Sequence, residues 1–213
     1  MKVALFDLDG VLVDTEPGYS AFWKGVGEDY FPQDTGFASG LKGQSLTCIF
    51  QRYFPDDFFA QQTIRKRLST YEATMEFPIF PGALQYVEKL HRRGVKTAVV
   101  TSSDTRKMDC LYSRLPDFRS LFDAIFTAED VSSSKPAPDC YLTAARYFGV
   151  SPTDCVVFED SPNGLQAGRS SGAYVVGVAS ALSLDAIRPL CDKPVKGFAD
   201  ISELASLDAL FQS

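Results

Sequence analysis

The spacing of apolar residues changes twice along the chain and divides it into three stretches. Residues 2–6 form a short, almost wholly apolar run that carboxylates follow at once, as expected of a buried strand that ends at a polar edge. From about residue 18 to residue 76, apolar side chains such as Phe22, Trp23 and Val26 recur at helical spacing. Beyond Gly82, short β-branched runs alternate with amphipathic segments. The pattern predicts one strand, a helical block, and then alternating helices and strands.

The last stretch predicts a parallel sheet. Strands are predicted at 95–100, 123–126, 155–158 and 174–178, and the helices between them are expected to end at Gly94, Gly149 and Gly172. Repeated strand–helix units favour a doubly wound sheet with helices on both faces. The predicted fold class is α/β, a Rossmann-like parallel-sheet core with an inserted α-helical domain.

The helical block lies directly after the first strand. Its second half, residues 56–76, carries Phe59, Ile64 and Leu68 among charged residues, which predicts an amphipathic helix. Proline-rich residues 77–82 end the block, because a helix interior excludes proline. We predict a core of residues 1–16 and 78–213 and a helical domain of residues 17–77. The connections near 13–17 and 77–82 are candidate hinges, and a domain inserted there is suited to act as a lid.

Composition and charge narrow the classes of partner. The 213 residues are 45% apolar and 23% charged, as in ordinary globular proteins. A net charge of −6 argues against nucleic acid or an anionic membrane as the main partner. We expect a soluble cytoplasmic protein, since we find no signal peptide and no apolar run long enough to span a bilayer. The five dispersed cysteines indicate reduced thiols, and the single histidine, His91, is expected at the surface.

Polar residues of the kinds used in phosphoryl transfer follow four of the predicted strands. They are Asp7 and Asp9, Thr101 with Ser102 and Ser103, Lys135, and Glu159 with Asp160. Each group alone has a plainer explanation, as an Asp-Gly turn, a helix cap or a solvated lysine. The carboxyl ends of parallel strands, however, converge on one crevice. The joint pattern therefore predicts an active site there.

The motifs, taken in order, resemble those of the haloacid dehalogenase superfamily. Asp7-Leu8-Asp9-Gly10-Val11 matches its first motif, DxDG(T/V), and Thr101 stands where its second motif has Thr or Ser. Lys135-Pro136-Ala137-Pro138 matches the third motif, and Glu159-Asp160 matches the fourth. The helical block resembles the small α-helical cap of a subgroup that includes sugar-phosphate phosphatases, phosphoglycolate phosphatase and β-phosphoglucomutase.

The resemblance implies a role for each motif. Asp7 would be the nucleophile that forms an aspartyl-phosphate, and Asp9 the general acid and then the general base. Thr101, Ser102 and Lys135 would hold the phosphoryl oxygens. A Mg²⁺ ion would be held by Asp7, Asp160 and the backbone carbonyl of Asp9, with Glu159 assisting through water. A metal and a nearby lysine are expected to keep Asp7 ionised.

The resemblance leaves three functions open. The favoured one is a Mg²⁺-dependent phosphatase of a small sugar or sugar-acid phosphate. The alternative is a phosphomutase, but Tyr19 and Leu46 stand where the β-phosphoglucomutase cap is expected to have His and Arg. A receiver-type signalling module is the remote alternative, because receivers lack an inserted cap and carry the phosphorylated Asp on a later strand.

Substrate selection is expected in the cap, because the core residues contact only the transferred phosphoryl group. The candidates are Thr15, Glu16, Tyr19, Lys42, Gln44 and Ser45. The expected partner is thus a phosphorylated small molecule. We expect a monomer, since a site shielded by a cap needs no second subunit.

Overall fold

A computed structural model of the protein describes residues 2–41, 44 and 46–211. The chain divides into two compact units, which we call the sheet unit (Met1–Asp14 with Phe77–Ser213) and the helical unit (Thr15–Glu76). The sequence-based bounds, 16/17 and 77/78, lie within two residues of these divisions.

Within the described residues, the sheet unit contains six strands in one parallel sheet. They are β1 (Val3–Phe6), β2 (Lys96–Val100), β3 (Ala124–Phe126), β4 (Cys155–Glu159), β5 (Tyr174–Val178) and β6 (Lys193–Val195). The strand order is β3-β2-β1-β4-β5-β6. The order reverses between β1 and β4, where Phe6 is aligned with Phe158, and ligands of such sheets bind at this reversal. The predicted α/β fold class is confirmed.

Helices follow the strands of the sheet unit. They are α5 (Ala83–Arg92), α6 (Thr105–Arg114), α7 (Asp139–Phe148), α8 (Pro162–Ser171), α9 (Leu184–Ile187) and α10 (Ile201–Asp208). The glycines expected to end two of them do so, because Gly149 (φ 66°) and Gly172 (φ 86°) take the left-handed conformation directly after α7 and α8. Apolar residues of α7 and α8 pack with those of β1, β2 and β4 in one buried core.

The helical unit has a core of its own. It contains α1 (Glu16–Tyr30), α2 (Phe37–Gly40), α3 (Leu46–Tyr53) and α4 (Phe58–Thr74). Trp23, Phe50 and Ile64 are buried together in it. Phe59 departs from the predicted apolar face, since 82% of it is exposed at the start of α4.

The structure corrects the strand count and agrees with the expectations for the cysteines and His91. The sequence pattern missed β6, whose three residues are too few to show a periodicity and include a proline. The five cysteines are free, and His91 is exposed, as expected. Among the helices in the described part of the chain, none combines the length and apolar character that a bilayer-spanning helix requires.

Candidate active site

Asp7 lies at the carboxyl end of β1, beside β4. Its backbone N–H donates to the carbonyl of Phe158 at 2.9 Å and so continues the pairing of the two strands by one residue. The Asp7 side chain is 12% exposed. The strand ladder therefore holds this carboxylate nearly buried at the point where the strand order reverses.

Lys135 joins Asp7 to the end of β4. Its Nζ donates to Asp7 Oδ1 at 2.7 Å, to Glu159 Oε1 at 2.6 Å and to the carbonyl of Val100 at 3.0 Å. An ammonium group has three protons, so these acceptors use all of them. The Lys135 side chain is 7% exposed, and its ammonium group is therefore fixed between two carboxylates rather than solvated.

Burial dominates the protonation of Asp7. It raises the pKa of Asp7 to about 7, and the charges of Glu159 and Asp9 act in the same direction, against the opposing effect of Lys135. Lys135 alone does not offset the burial. The expectation that a metal and a lysine together keep Asp7 ionised stays a prediction. Burial would lower the pKa of Lys135 itself, but Asp7 and Glu159 hold that pKa well above its usual value, so Lys135 stays charged.

Glu159 is fully buried and surrounded by donors. Besides Lys135, the hydroxyl of Tyr141 donates to its Oε1 at 2.8 Å. Its Oε2 accepts from the backbone N–H of Asp160 at 3.1 Å and from the Ser161 hydroxyl at 3.3 Å. Both oxygens are thus used within the protein, which suits Glu159 to fixing Lys135 and Asp160 in place.

Asp160 lies against the glycine of the first motif. Gly10 has φ +81°, and a Cβ added to it would lie 2.0 Å from Asp160 Oδ2. Only glycine permits both this conformation and this approach. Burial, followed by the charges of Glu159 and Asp7, raises the pKa of Asp160 well above its usual range. The motif glycine thereby lets a second carboxylate come close to Asp7.

These carboxylates form a site suited to a hard divalent cation. Ligand oxygens of Asp7, Glu159 and Asp160 all lie within 4.8 Å of one another. An all-oxygen set is the one that Mg²⁺ prefers. Burial first, and then the charges of neighbouring carboxylates, raise the pKa values of Asp7 and Asp160. A bound cation would offset the repulsion between these carboxylates. Asp9 belongs to the predicted set through its backbone carbonyl, and its side chain is engaged elsewhere.

The Asp9 side chain is held by Lys107, which the sequence analysis missed, and by Ser103, to which it gave no role. Lys107 Nζ lies 2.7 Å from both Oδ1 and Oδ2, and the Ser103 hydroxyl donates to Oδ2 at 3.0 Å. A signal was present, because Lys107 stands on the apolar face of α6 with Met108 and Leu111, where a solvated lysine would not be.

The second motif follows β2 at the same edge of the sheet. The backbone N–H of Thr101 donates to the carbonyl of Phe126 at 2.9 Å, and Thr101 Oγ1 accepts from the backbone N–H of Ser103 at 3.0 Å. Thr101 is buried, whereas Ser102 is exposed. Their predicted contact with a phosphoryl group stays a prediction.

The predicted specificity residues lie in the helical unit. Thr15 is buried, Glu16 accepts from the Ser20 hydroxyl at 2.8 Å, and the Tyr19 hydroxyl donates to Glu72 at 2.9 Å. The Gln44 amide donates to the carbonyl of Gly40 at 2.7 Å. The other two candidates, Lys42 and Ser45, fall outside the described residues.

The sequence matches one known protein family over most of its length. The family of haloacid dehalogenase-like hydrolases matches residues 1–172, which include all four motifs. The chain belongs to this family. The resemblance drawn from the motifs is confirmed, and so is the prediction that the chain is a hydrolytic enzyme.

Several known proteins resemble this chain over most of its length. Fructose-1-phosphate phosphatase YqaB of Escherichia coli is 33% identical, over 82% of this chain and 94% of that protein. Glycerol-1-phosphate phosphohydrolase 1 of Saccharomyces cerevisiae is 29% identical, over 94% of this chain and 84% of that protein. Protein SUPPRESSOR OF QUENCHING 1, chloroplastic, of Arabidopsis thaliana is 32% identical over 86% of this chain, which spans only 18% of its length.

Solved structures of the family share the fold. A HAD hydrolase, family IA, variant 3, from Entamoeba histolytica superposes with a TM-score of 0.83 at 24% identity, and the match covers both chains fully. The β-phosphoglucomutase of Clostridium difficile superposes with a TM-score of 0.78 at 19% identity, also over both chains. Hydrolase and mutase therefore have the same fold, and the fold does not separate the two functions.

Proposed function

We propose that this haloacid dehalogenase-like hydrolase is a Mg²⁺-dependent phosphatase of a small phosphorylated metabolite, a sugar or sugar-acid phosphate, and acts through an aspartyl-phosphate. The observation that carries the proposal is the position of Lys135 between Asp7 and Glu159, next to a buried cluster of carboxylates. The names of the bacterial and yeast relatives, a fructose-1-phosphate phosphatase and a glycerol-1-phosphate phosphohydrolase, support this class of substrate.

The proposed chemistry has two steps. In the first, a carboxylate oxygen of Asp7 bonds to phosphorus while the bond from phosphorus to the alcohol oxygen breaks. The carboxyl group of Asp9, protonated before this step, gives its proton to that oxygen. In the second, Asp9 takes a proton from water as the water oxygen attacks phosphorus and Asp7 is released. Lys135 and Thr101 stabilise the charge on the phosphoryl oxygens.

Mg²⁺ would be held by Asp7, Asp160 and the Asp9 backbone carbonyl, with Glu159 behind them. When bound, it would neutralise charge between the nucleophile and the phosphoryl group. Asp160 would contribute a carboxylate oxygen to the metal, and its carboxylate can occupy this place only because residue 10 is a glycine without a side chain.

Mg²⁺ is expected to raise the unfolding temperature, and to raise it more at about pH 8 than at about pH 5. Burial raises the pKa of Asp7 to about 7, so the metal-free folded protein keeps a proton that the unfolded chain releases near pH 4. The stability linked to this proton is present below pH 4 and is lost as the pH rises towards 7. Mg²⁺ must displace the same proton, and it therefore binds better at high pH.

Thermal unfolding with and without Mg²⁺ at both pH values measures this effect. A shift of several degrees is expected near pH 8. Asp160→Asn should remove most of the shift. Asp123 lies directly before β3, at the opposite edge of the sheet, so Asp123→Asn should keep the shift. A Mg²⁺ shift that is equal at both pH values, or that survives Asp160→Asn, would contradict the proposed metal site.

The test of the reaction is a panel of phosphate esters assayed for phosphate release. Fructose 1-phosphate, other sugar phosphates, glycerol 1-phosphate, phosphoglycolate and nucleotides are incubated with the enzyme, with and without Mg²⁺. We expect Mg²⁺-dependent release from at least one sugar or polyol phosphate. No release from any of them would refute the phosphatase, and glucose 6-phosphate formed from β-glucose 1-phosphate would establish the mutase instead.

The contacts within the helical unit favour the phosphatase over the mutase. Tyr19, which stands where the mutase is expected to have His, donates its hydroxyl to Glu72 at 2.9 Å. Leu46, which stands where the mutase is expected to have Arg, packs against the core of the helical unit. Neither position offers a cation to steer a phosphorylated sugar intermediate. Selection of the substrate by the helical unit remains part of the proposal, with Thr15, Glu16 and Gln44 as candidates.

The proposed enzyme is cytoplasmic and monomeric and uses neither nucleic acid nor membrane as a partner. The net charge of −6 supports the exclusion of polyanionic partners. Light scattering on the purified protein measures its oligomeric state, and a stable dimer would contradict the monomer.

A further inference from the structure

Lys107 occupies a position that is unfavourable for an unpaired cation. Asp104 caps α6 by accepting from the backbone N–H of Lys107 at 2.9 Å, which makes Lys107 the third residue of the helix. The positive end of the helix dipole lies there, and it disfavours a cation. The side chain is also 6% exposed, and burying an ammonium group costs free energy unless it is paired. A lysine is therefore favourable here only through the group that it contacts.

That group is the Asp9 carboxylate. Lys107 Nζ lies 2.7 Å from each carboxylate oxygen. The hydroxyl of Ser103, in the loop before α6, donates a further hydrogen bond to Oδ2. Contact with both oxygens restrains the rotation of the carboxyl plane, which a single hydrogen bond to one oxygen does not. The Asp9 side chain is nevertheless 31% exposed, so solvent reaches it beside these contacts.

The two ammonium groups of the site serve different carboxylates. Lys135 contacts Asp7 and Glu159, and Lys107 contacts Asp9. The nucleophile and the proton donor proposed above are thus oriented by separate cations. A change at Lys107 should therefore affect steps that need Asp9 and spare those that need only Asp7.

We propose that Lys107 is the positioning residue for Asp9. It holds the carboxyl group in the orientation from which Asp9 gives a proton to the leaving oxygen and later takes one from water. This role rests on the proposed phosphatase function. Its distinctive consequence is a dependence on the leaving group, because an aliphatic alkoxide needs a proton to depart whereas p-nitrophenolate departs without one.

The test compares Lys107→Met with the wild-type enzyme on two substrates. These are p-nitrophenyl phosphate and the sugar phosphate that the wild type hydrolyses fastest. The value of kcat/KM reports steps up to formation of the aspartyl-phosphate. For Lys107→Met we expect kcat/KM to fall about 10- to 100-fold on the sugar phosphate and less than about threefold on p-nitrophenyl phosphate.

Lys89→Met is the matched control. Lys89 also forms a partly buried ion pair, with Asp208, but on α5 and away from the motifs. Its replacement should leave the ratio of the two kcat/KM values unchanged. Equal losses on both substrates in Lys107→Met, or no loss on either, would overturn the positioning role.

A structural measurement separates this inference from the proposed function. If the wild type releases phosphate from neither substrate, the phosphatase proposal fails, and the positioning claim is judged on crystal structures of the wild type and Lys107→Met. We expect the Asp9 carboxyl group to rotate away or to take more than one orientation in the variant. An Asp9 side chain that keeps its wild-type orientation without Lys107 would overturn the claim.

Discussion

Asp7→Asn is expected to abolish phosphate release, with a loss of about 10⁴-fold or more in kcat. The amide has the shape of the carboxylate but lacks the charge and the nucleophilic oxygen that bonds to phosphorus. The fold should survive, because Asp7 is nearly buried and burial raises its pKa to about 7, so a neutral amide loses little there. We therefore expect an unfolding temperature equal to or slightly above that of the wild type near pH 8.

Phosphate release by Asp7→Asn and its thermal unfolding are measured together. Asp123→Asn is the matched control. Asp123 is also mostly buried, with 16% of its side chain exposed, and it also pairs with a lysine, Lys96. It lies before β3, at the edge of the sheet opposite the motifs. Asp123→Asn should lose stability but keep its activity. An Asp7→Asn enzyme that retains more than about a tenth of wild-type kcat would exclude Asp7 as the nucleophile.

Lys135→Met is expected to cost both activity and stability. The substitution removes the donor to Asp7 and Glu159 at once, and Glu159 is fully buried. Breaking a buried pair by removing one partner destabilises a protein by about 3–5 kcal/mol. Loss of the cation that stabilises the phosphoryl oxygens should reduce kcat by about 10²- to 10⁴-fold.

The stability loss in Lys135→Met should depend on pH. Lys135 lowers the pKa of Asp7, so its removal raises that pKa above the value of about 7. A carboxyl group with a raised folded-state pKa stabilises the folded protein below its unfolded pKa, and this contribution is lost as the pH rises. The variant should therefore be destabilised less at about pH 5 than at about pH 8.

Urea unfolding of metal-free protein at the two pH values checks this expectation. Lys96→Met is the matched control, since Lys96 pairs with Asp123 at 2.6 Å but is 46% exposed. Its loss should cost less than about 1 kcal/mol at either pH, as is usual for exposed pairs. If Lys135→Met is as stable and as active as the wild type, Lys135 neither stabilises the buried carboxylates nor assists phosphoryl transfer.

Periodicity predicted the sheet unit well because a buried parallel strand must be apolar along its whole length. β1, β2, β4 and β5 were each located to within a residue, and the residues that follow β1 and β4, Asp7 and Asp160, do come together. The failures lie where that constraint is weak. β6 is short and half-buried. Phe59 precedes Ile64 by five residues, which places it about 140° around α4 from the buried row of Ala60, Ile64 and Leu68.

The sequence pattern could show that Lys107 lies on the apolar face of α6, but it could not show which group the lysine contacts. Asp9 and Lys107 are 98 residues apart. Their meeting depends on the residue at which Asp104 starts α6 and hence on the direction in which the first turn points. A motif records which residue types a reaction needs, and it contains no information about a helix start elsewhere in the chain.

The sequence by itself determined the fold class, the family and the edge of the sheet where the motifs gather. Periodicity shows which segments are strands, the four motifs carry the family resemblance, and the carboxyl ends of parallel strands share one edge of a sheet. Only the tertiary structure decided how the charges are shared, with Lys135 between Asp7 and Glu159 and Lys107 on Asp9. It also decided that Asp7 is buried deeply enough for its pKa to reach about 7. Burial and ion pairing depend on distances between residues far apart in the chain, and those distances exist only in the folded protein.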